Sequence, residues 1–242
     1  GLSLTEQVEW AKAVMGDACF YDGRTALRAF LTRVQALELA SLPFHPTALQ
    51  FTTFTPPAPA DESQSLLRIA KDPQANIFYE LFRDGIVGDI AREQPDIVGI
   101  SVPTLDQMPA AMTLGHLIKA SDLPCHVTLG GPHVTMLREQ FLETPALFDL
   151  FDSAIVFSGD TALRRLAEVV DRTGGRPESH ELAQVPNLIY RDGATVQATP
   201  LEFAPTPDLL PDFDGLPLNR YLTPTPVLPL LSAHGCYHGR CA

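Results

Sequence analysis

The sequence predicts an α/β fold built on a doubly wound parallel sheet, with helices added at the N-terminus. Three short apolar runs rich in β-branched residues, at 97–102, 126–129 and 154–157, are each followed by a segment with helical periodicity. Strands that alternate with helices form parallel sheets through right-handed crossovers, with helices on both faces. Such strands are buried on both faces, and we expect this of all three runs.

The remaining elements follow from periodicity and from turn residues. Before the first strand of the sheet, the sequence predicts helices at 4–15, 25–40 and 77–94, and a strand at 49–54 followed by a polar loop. The helices that follow the three strands are predicted at 107–120, 134–142 and 161–171. Pro95 ends the helix at 77–94 directly before the strand that begins at Ile97.

A change of composition after residue 199 suggests how the chain is divided. Asp192-Gly193 lies between β-prone segments at 188–191 and 195–198 and predicts a small antiparallel hairpin. Eight of the 22 prolines then fall between Pro200 and Pro229, a density typical of an extended linker. We therefore divide the chain into an N-terminal helical segment at 1–45, an α/β domain at 46–199 and a proline-rich linker at 200–242.

Composition and charge exclude several classes of function. The net charge of -12 offers no basic surface for nucleic acid, because Lys and Arg supply most of that affinity. No segment has the roughly 18 consecutive apolar residues that span a bilayer, and no secretory leader begins the chain, so we expect a cytoplasmic protein that contacts no membrane. Four cysteines in 242 residues do not form a disulfide framework.

The candidate site lies where two neighbouring strands end. Ser101 ends one strand and Gly130-Gly131 ends the next, with 28 residues between Ser101 and Gly130. Ligands of parallel sheets bind outside the carboxyl ends of the strands. Glycines let a flat group approach the backbone, and a serine hydroxyl can bond a heterocycle nitrogen. The predicted cofactor-binding residues are Ser101, Val102, Thr104, Gln107, Gly130, Gly131, His133, Gly159 and Asp160.

Other cofactor motifs are missing from the sequence. No glycine-rich dinucleotide fingerprint follows a first strand, and no phosphate-binding P-loop or hydrolase elbow is present. The seven histidines show no zinc-binding spacing. A cofactor other than a dinucleotide is therefore expected at the serine and glycine turns.

The serine and the glycine pair resemble elements of cobalamin-binding domains, in which they surround the dimethylbenzimidazole tail of the vitamin. A longer match, over roughly residues 45 to 242, resembles the N-terminal region of cobalamin-dependent radical S-adenosylmethionine (radical SAM) enzymes. Its segments, in chain order, are PDIVGISVPT, VTLGGPHVT, Ser158-Gly159-Asp160, NLIYRDG, PDFDGLPLNRY and AHGCYHGRCA. The resemblance implies a Rossmann-like, flavodoxin-like fold with methylcobalamin across the carboxyl edge of the sheet. A histidine-containing lower-ligand motif is absent, so we expect no protein histidine on the cobalt.

The resemblance also assigns a role to the cysteines near the end of the chain. In this family a cysteine motif holds a 4Fe-4S cluster that binds S-adenosylmethionine, and Cys236 and Cys241 match its first two ligands. The third ligand would follow Ala242, so we expect the chain to be part of a longer protein and to assemble no cluster alone. The implied partner is the radical SAM domain of the same protein.

The family resemblance leaves three functions open. The first is the cobalamin-binding domain of a radical SAM methyltransferase that acts on an unactivated carbon or phosphorus of a natural product or peptide. The second is a radical SAM enzyme that uses cobalamin for other chemistry. The third is a flavodoxin-like sensor or interaction module without a cofactor, in which side chains should fill the groove beside Gly130 and Gly131.

Overall fold

A computed structural model describes residues 3–50, 53–203 and 212–229 of the chain. Within this part of the chain, no helix is both long and apolar enough to cross a membrane.

The described residues divide into two compact units. The smaller unit contains residues 3–37 and 212–229, and the larger one contains residues 38–203. The limits at 45 and 199 stay a prediction. In the smaller unit, Ser3 and Glu6 form a capping box at the start of the first helix. The guanidinium of Arg28 lies 5.0 Å from the centroid of the Trp10 ring.

Most of the predicted helices are present, with corrected limits. The α-helices in the described residues are α1 Leu4–Gly16, α2 Gly23–Ser41, α3 Ser63–Lys71, α4 Phe78–Leu81, α5 Val87–Glu93, α6 Met108–Ala120, α7 Pro132–Met136, α8 Arg138–Glu143, α9 Asp160–Arg172 and α10 Ser179–Leu182. A π-helical turn, Phe82–Ile86, joins α4 to α5, so the helix predicted at 77–94 is continuous. The helix predicted at 134–142 is broken at Leu137.

Helix α3 corrects the prediction of a loop after residue 60. The helix is amphipathic, since Leu66, Ile69 and Ala70 are buried while Lys71 is exposed. Its first residues are polar, so this pattern is short in the sequence. Asn76 fixes the end of this helix, since its side-chain nitrogen donates to the carbonyl oxygen of Ile69 at 2.9 Å. Nine residues give too little periodicity to distinguish this helix from a loop by sequence.

Within the described residues, the strands form two sheets. They are β1 Ala48–Leu49, β2 Phe54–Thr55, β3 Ile97–Ser101, β4 His126–Gly130, β5 Ser153–Ile155, β6 Leu188–Asp192 and β7 Thr195–Ala198. The prediction of one strand at 49–54 is wrong, because its two ends pair with each other as the antiparallel strands β1 and β2. This hairpin is separate from the main sheet.

The main sheet has the strand order β3-β4-β5-β6-β7. Strands β3, β4 and β5 are parallel as predicted, whereas β6 is antiparallel to β5 and β7 is antiparallel to β6. The fold is therefore α/β with a mostly parallel sheet, and the prediction of a parallel sheet is corrected at β6, which joins it in the antiparallel direction. The reason is the path after α9: α10 and residues 183–187 return the chain to the carboxyl end of β5, where Leu188 pairs with Ile155. The predicted hairpin is confirmed, and it extends the sheet.

Helices pack against both faces of this sheet, but they cover the second face only in part. On one face, Val127 and Leu129 belong to the core that includes Met112 of α6. On the other face, Ile155 packs with Leu166 and other residues of α9. Beyond α9 the second face is open, because Gly99 and Ser101 of β3 are exposed. The expectation that β3 is buried on both faces is therefore wrong, and this opening creates the candidate site.

Candidate functional site

An open cavity of about 410 Å³ lies over the carboxyl ends of β3 and β4, beside the start of α9. Its walls come from three consecutive strand-to-helix connections. The lining residues are Gly99, Ile100, Ser101, Thr128, Leu129, Gly130, Gly131, Ile155, Phe157, Gly159, Asp160 and Leu163. This volume falls in the range of about 300–1,000 Å³ that is typical of small-molecule sites.

The cavity exists because glycines occupy two strand positions on this face. Ser101 pairs with Gly130 across the two strands, and Gly99 lies two residues before Ser101 and therefore on the same face. A Cβ atom on Gly99 would meet no atom within 4 Å, and one on Gly130 would meet only the carbonyl oxygen of Ile155, at 3.8 Å. A side chain at either position would therefore extend into the cavity.

Gly131 has a different role from its neighbour. Its φ of +105° is unfavourable for other residues, and a Cβ would lie 2.7 Å from the carbonyl oxygen of Val102. The backbone of Val102 donates to the carbonyl of Gly130 at 2.7 Å and accepts from the N–H of His133 at 3.1 Å. Gly131 thus lets the two turns pack closely, whereas Gly130 leaves space for a ligand.

Five of the predicted site residues line the cavity, namely Ser101, Gly130, Gly131, Gly159 and Asp160. The hydroxyl of Ser101 is exposed and has no hydrogen-bond partner among the described residues. Asp160 is in the first turn of α9, where a negative charge complements the helix dipole.

The other four predicted residues lie outside the cavity. Val102 is fully buried in the hydrophobic core, so only its backbone contributes to the turn. Thr104 and Gln107 are exposed on the connection between β3 and α6. His133 is buried in α7, and its Nε2 has no hydrogen-bond partner within the described part of the chain. Burial lowers the pKa of His133, which favours the neutral ring.

The predicted cluster ligands Cys236 and Cys241 lie outside the described residues. Within residues 3–50, 53–203 and 212–229, no group of three or more His, Cys, Asp or Glu side chains is placed to hold a metal ion. Cys19 and Cys125 are free thiols, and burial raises the pKa of Cys125.

Sequence reasoning missed several residues that line the cavity. Gly99 could have been found from the two-residue repeat of a strand, which gives it the same face as Ser101. Leu163 could have been found from helical spacing, since it lies one turn after Asp160 in α9. Phe157 carried no such signal, because its orientation depends on an unusual backbone conformation, with φ of +59°.

A buried polar row leads along the sheet to the cavity. Nε2 of His126 is 2.9 Å from the hydroxyl oxygen of Ser153, which in turn donates to the hydroxyl of Thr128 at 2.9 Å. Burial lowers the pKa of His126, and nearby Asp152 partly opposes this effect. These hydrogen bonds give each of the three buried polar side chains a partner beneath the cavity.

A larger cavity, of about 680 Å³, lies at the amino ends of the strands. Three basic residues line it, and two of them pair with acidic side chains: Lys119 with Asp152 at 2.6 Å and Arg191 with Asp149 at 2.5 Å, while Arg176 is the third. Ligands of parallel sheets bind at the carboxyl edge, so the smaller cavity is the better candidate.

The fold and the smaller cavity define an α/β domain with an open cavity at the carboxyl edge of its parallel strands. Residues 65–167 match the family model of the B12 binding domain. This segment, from α3 to the middle of α9, contains β3, β4 and β5 and both turns of the predicted site. Over these residues the chain is similar to the B12 binding domain, a family whose name implies cobalamin as the cofactor.

The chain is also similar to an uncharacterized methyltransferase of Pyrococcus horikoshii. The two are 26% identical over 181 residues, which cover 69% of this chain and 36% of the relative. The chain thus spans about a third of the length of this distant homologue. No solved structure matches the chain.

The cavity fits one end of the cobalamin molecule. It has room for a heterocyclic base, and the hydroxyl of Ser101, which no group in the described part of the chain bonds, can bond a ring nitrogen. Apolar side chains of Ile155 and Leu163 border the same space. The walls therefore suit the nucleotide tail, whereas the wider corrin ring would have to lie outside.

Proposed function

We propose that the larger unit binds cobalamin and holds its nucleotide tail in the cavity above β3 and β4. The observation that carries the proposal is the open space over Gly99 and Gly130, where almost no protein atom lies within reach of an added Cβ. In a module without a cofactor, side chains should fill this groove. The open groove therefore favours a cofactor-binding domain over a sensor module.

In this proposal the residues of the chain bind and orient the vitamin. Ser101 donates a hydrogen bond to the tail, Gly99 and Gly130 admit its flat base, and α9 closes one side of the groove through Leu163. The bound methylcobalamin supplies the methyl group for transfer, because such chemistry belongs to the cofactor.

We further propose that the chain is the cobalamin-binding part of a radical SAM methyltransferase, which acts on an unactivated carbon or phosphorus of a small molecule or peptide. The cysteine motif with Cys236 and Cys241 supports the radical SAM assignment, and the name of the homologue, a methyltransferase, supports methyl transfer. The partner would be the radical SAM domain of the same protein, which would hold the 4Fe-4S cluster and S-adenosylmethionine.

The binding proposal is tested with hydroxocobalamin and two variants. Gly99→Val puts a β-branched side chain into the cavity at a strand position where valine is favoured, so the variant should fold normally. Gln197→Val, at an exposed position of β7, is the matched control. After mixing and gel filtration, we expect corrin absorbance with the wild-type protein and the Q197V control, and little with G99V. A folded wild-type protein that retains no corrin would refute the proposal.

A further inference from the structure

Two exposed aromatic rings stand at the rim of the cavity. Phe157, 48% exposed, lines the cavity, and Phe203, 67% exposed, packs against it with ring centroids 5.5 Å apart and an interplanar angle of 74°. Large apolar side chains that stay exposed beside a pocket mark a surface that an apolar ligand covers.

Phe157 adopts a backbone conformation that is energetically unfavourable for a residue with a large side chain. Its φ of +59° is left-handed, a conformation that disfavours a bulky side chain and suits glycine. The hydroxyl of Thr135 accepts a hydrogen bond from the Phe157 N–H at 2.8 Å and fixes this conformation. Strained residues of this kind cluster at ligand sites, where the side chain has a use that offsets the strain.

One buried amide positions both rings. Nδ2 of Asn187 donates to the carbonyl oxygens of Ser158 and Glu202, each at 2.9 Å. Oδ1 of Asn187 accepts from the N–H of Glu202 at 2.7 Å. Ser158 directly follows Phe157, and Glu202 directly precedes Phe203, so both rings are adjacent to residues that Asn187 holds.

The remaining walls offer few partners for a polar base. The polar side chains that line the cavity are Ser101, Thr128 and Asp160. The hydroxyl of Thr128 already accepts from Ser153. An adenine brings an amino group and several ring nitrogens, and each one that is buried without a partner weakens binding. A benzimidazole carries far fewer such groups.

We propose that Phe157, supported by Phe203, stacks on the base of the corrinoid tail and makes this site select corrinoids with an apolar benzimidazole-type base. Corrinoids that carry a purine, or no base at all, bind more weakly. The inference rests on the proposed cobalamin binding and goes beyond it, because it names the class of corrinoid and the side chain that selects it.

The test compares three ligands: hydroxocobalamin, the corrinoid with adenine as its base, and cobinamide, which lacks the nucleotide. Dissociation constants are measured by equilibrium dialysis with the whole 242-residue chain. Cobalamin is expected to bind roughly 10- to 100-fold more tightly than the adenine corrinoid, because a pocket with few polar partners rejects added polar groups by up to about this factor. Its advantage over cobinamide should be at least as large.

The informative variant is Phe157→Gly, because glycine suits the left-handed backbone and the protein should remain folded. Loss of the ring is expected to weaken cobalamin binding about tenfold, the usual scale for one aromatic-base stack, and to leave cobinamide binding unchanged. Phe157→Tyr keeps the ring and should retain the affinity. The matched control is Phe20→Ala, which removes one ring of a similar edge-on pair with Tyr21 in the other unit.

The outcomes separate this inference from the proposed function. If the wild-type protein binds none of the corrinoids, the proposed function fails. If the wild-type protein binds cobalamin, but F157G lowers the affinities for cobalamin and cobinamide equally or changes neither affinity, the inference about Phe157 is refuted. The proposed cobalamin binding then still stands. Equal affinity for cobalamin and the adenine corrinoid would refute the proposed selectivity.

Discussion

The two adjacent glycines of the site are expected to respond very differently to the same substitution. In Gly131→Ala, the new Cβ lies 2.7 Å from the carbonyl oxygen of Val102 and 2.9 Å from its nitrogen. This backbone cannot easily move, because its N–H and C=O are both hydrogen-bonded. A left-handed φ costs about 1–2 kcal/mol for a residue with a Cβ. Displacing packed backbone costs about 1–3 kcal/mol more.

The expected loss is therefore about 2–5 kcal/mol, a large part of the about 5–15 kcal/mol that stabilises a typical domain. Gly130→Ala is the control, because its Cβ would meet only the carbonyl oxygen of Ile155, at 3.8 Å. We expect G130A to stay within about 0.5 kcal/mol of the wild type. Urea unfolding gives the free energies, with unchanged m-values as the check on comparability. Equal stability of G131A, G130A and wild-type protein would refute the assignment of separate roles.

Two further predictions concern the core and pH. Gly115→Ala puts a Cβ 2.4 Å from the carbonyl oxygen of Leu150 and should lower the free energy of unfolding, measured in urea, by about 1–3 kcal/mol. The control is Gly88→Ala, whose Cβ would meet no atom within 4 Å and which should raise this free energy by up to about 1 kcal/mol. A G115A variant as stable as the wild type would contradict the packing of α6. Burial lowers the pKa of His126 in the folded protein. The stability that neutral His126 contributes is therefore fully present above the ordinary histidine pKa of about 6.5. Below that pH the free energy of unfolding decreases, by at most about 1.4 kcal/mol per pH unit, because the unfolded chain takes up a proton first. His126→Gln should reduce the stability difference between pH 7.5 and pH 5, and an unchanged difference would show that the pKa of His126 is the same in the folded and unfolded states.

Local sequence patterns predicted the parallel part of the sheet well. The two β-branched runs form the parallel strands β3 and β4, and the serine and glycine turns follow them. Ser101 pairs with Gly130, as expected if both residues lie at the carboxyl ends of neighbouring strands. Helix α3 was missed because nine residues with a polar start carry little periodicity. The direction of β6 was not predicted, because the sequence does not show to which end of β5 the chain returns.

The sequence by itself determined the α/β class, the two turns of the candidate site and the resemblance to cobalamin-binding domains. These features are local, since each depends on residue types and spacings within a few tens of residues. Only the tertiary structure decided that Gly130 faces open space while Gly131 packs on Val102, and that Phe157 and Phe203 meet at the rim. The physical reason is that a cavity depends on which atoms from distant segments fail to fill it. Neighbours in space, such as the turn after β5 and residue 203, are brought together by packing and by Asn187 rather than by a local pattern.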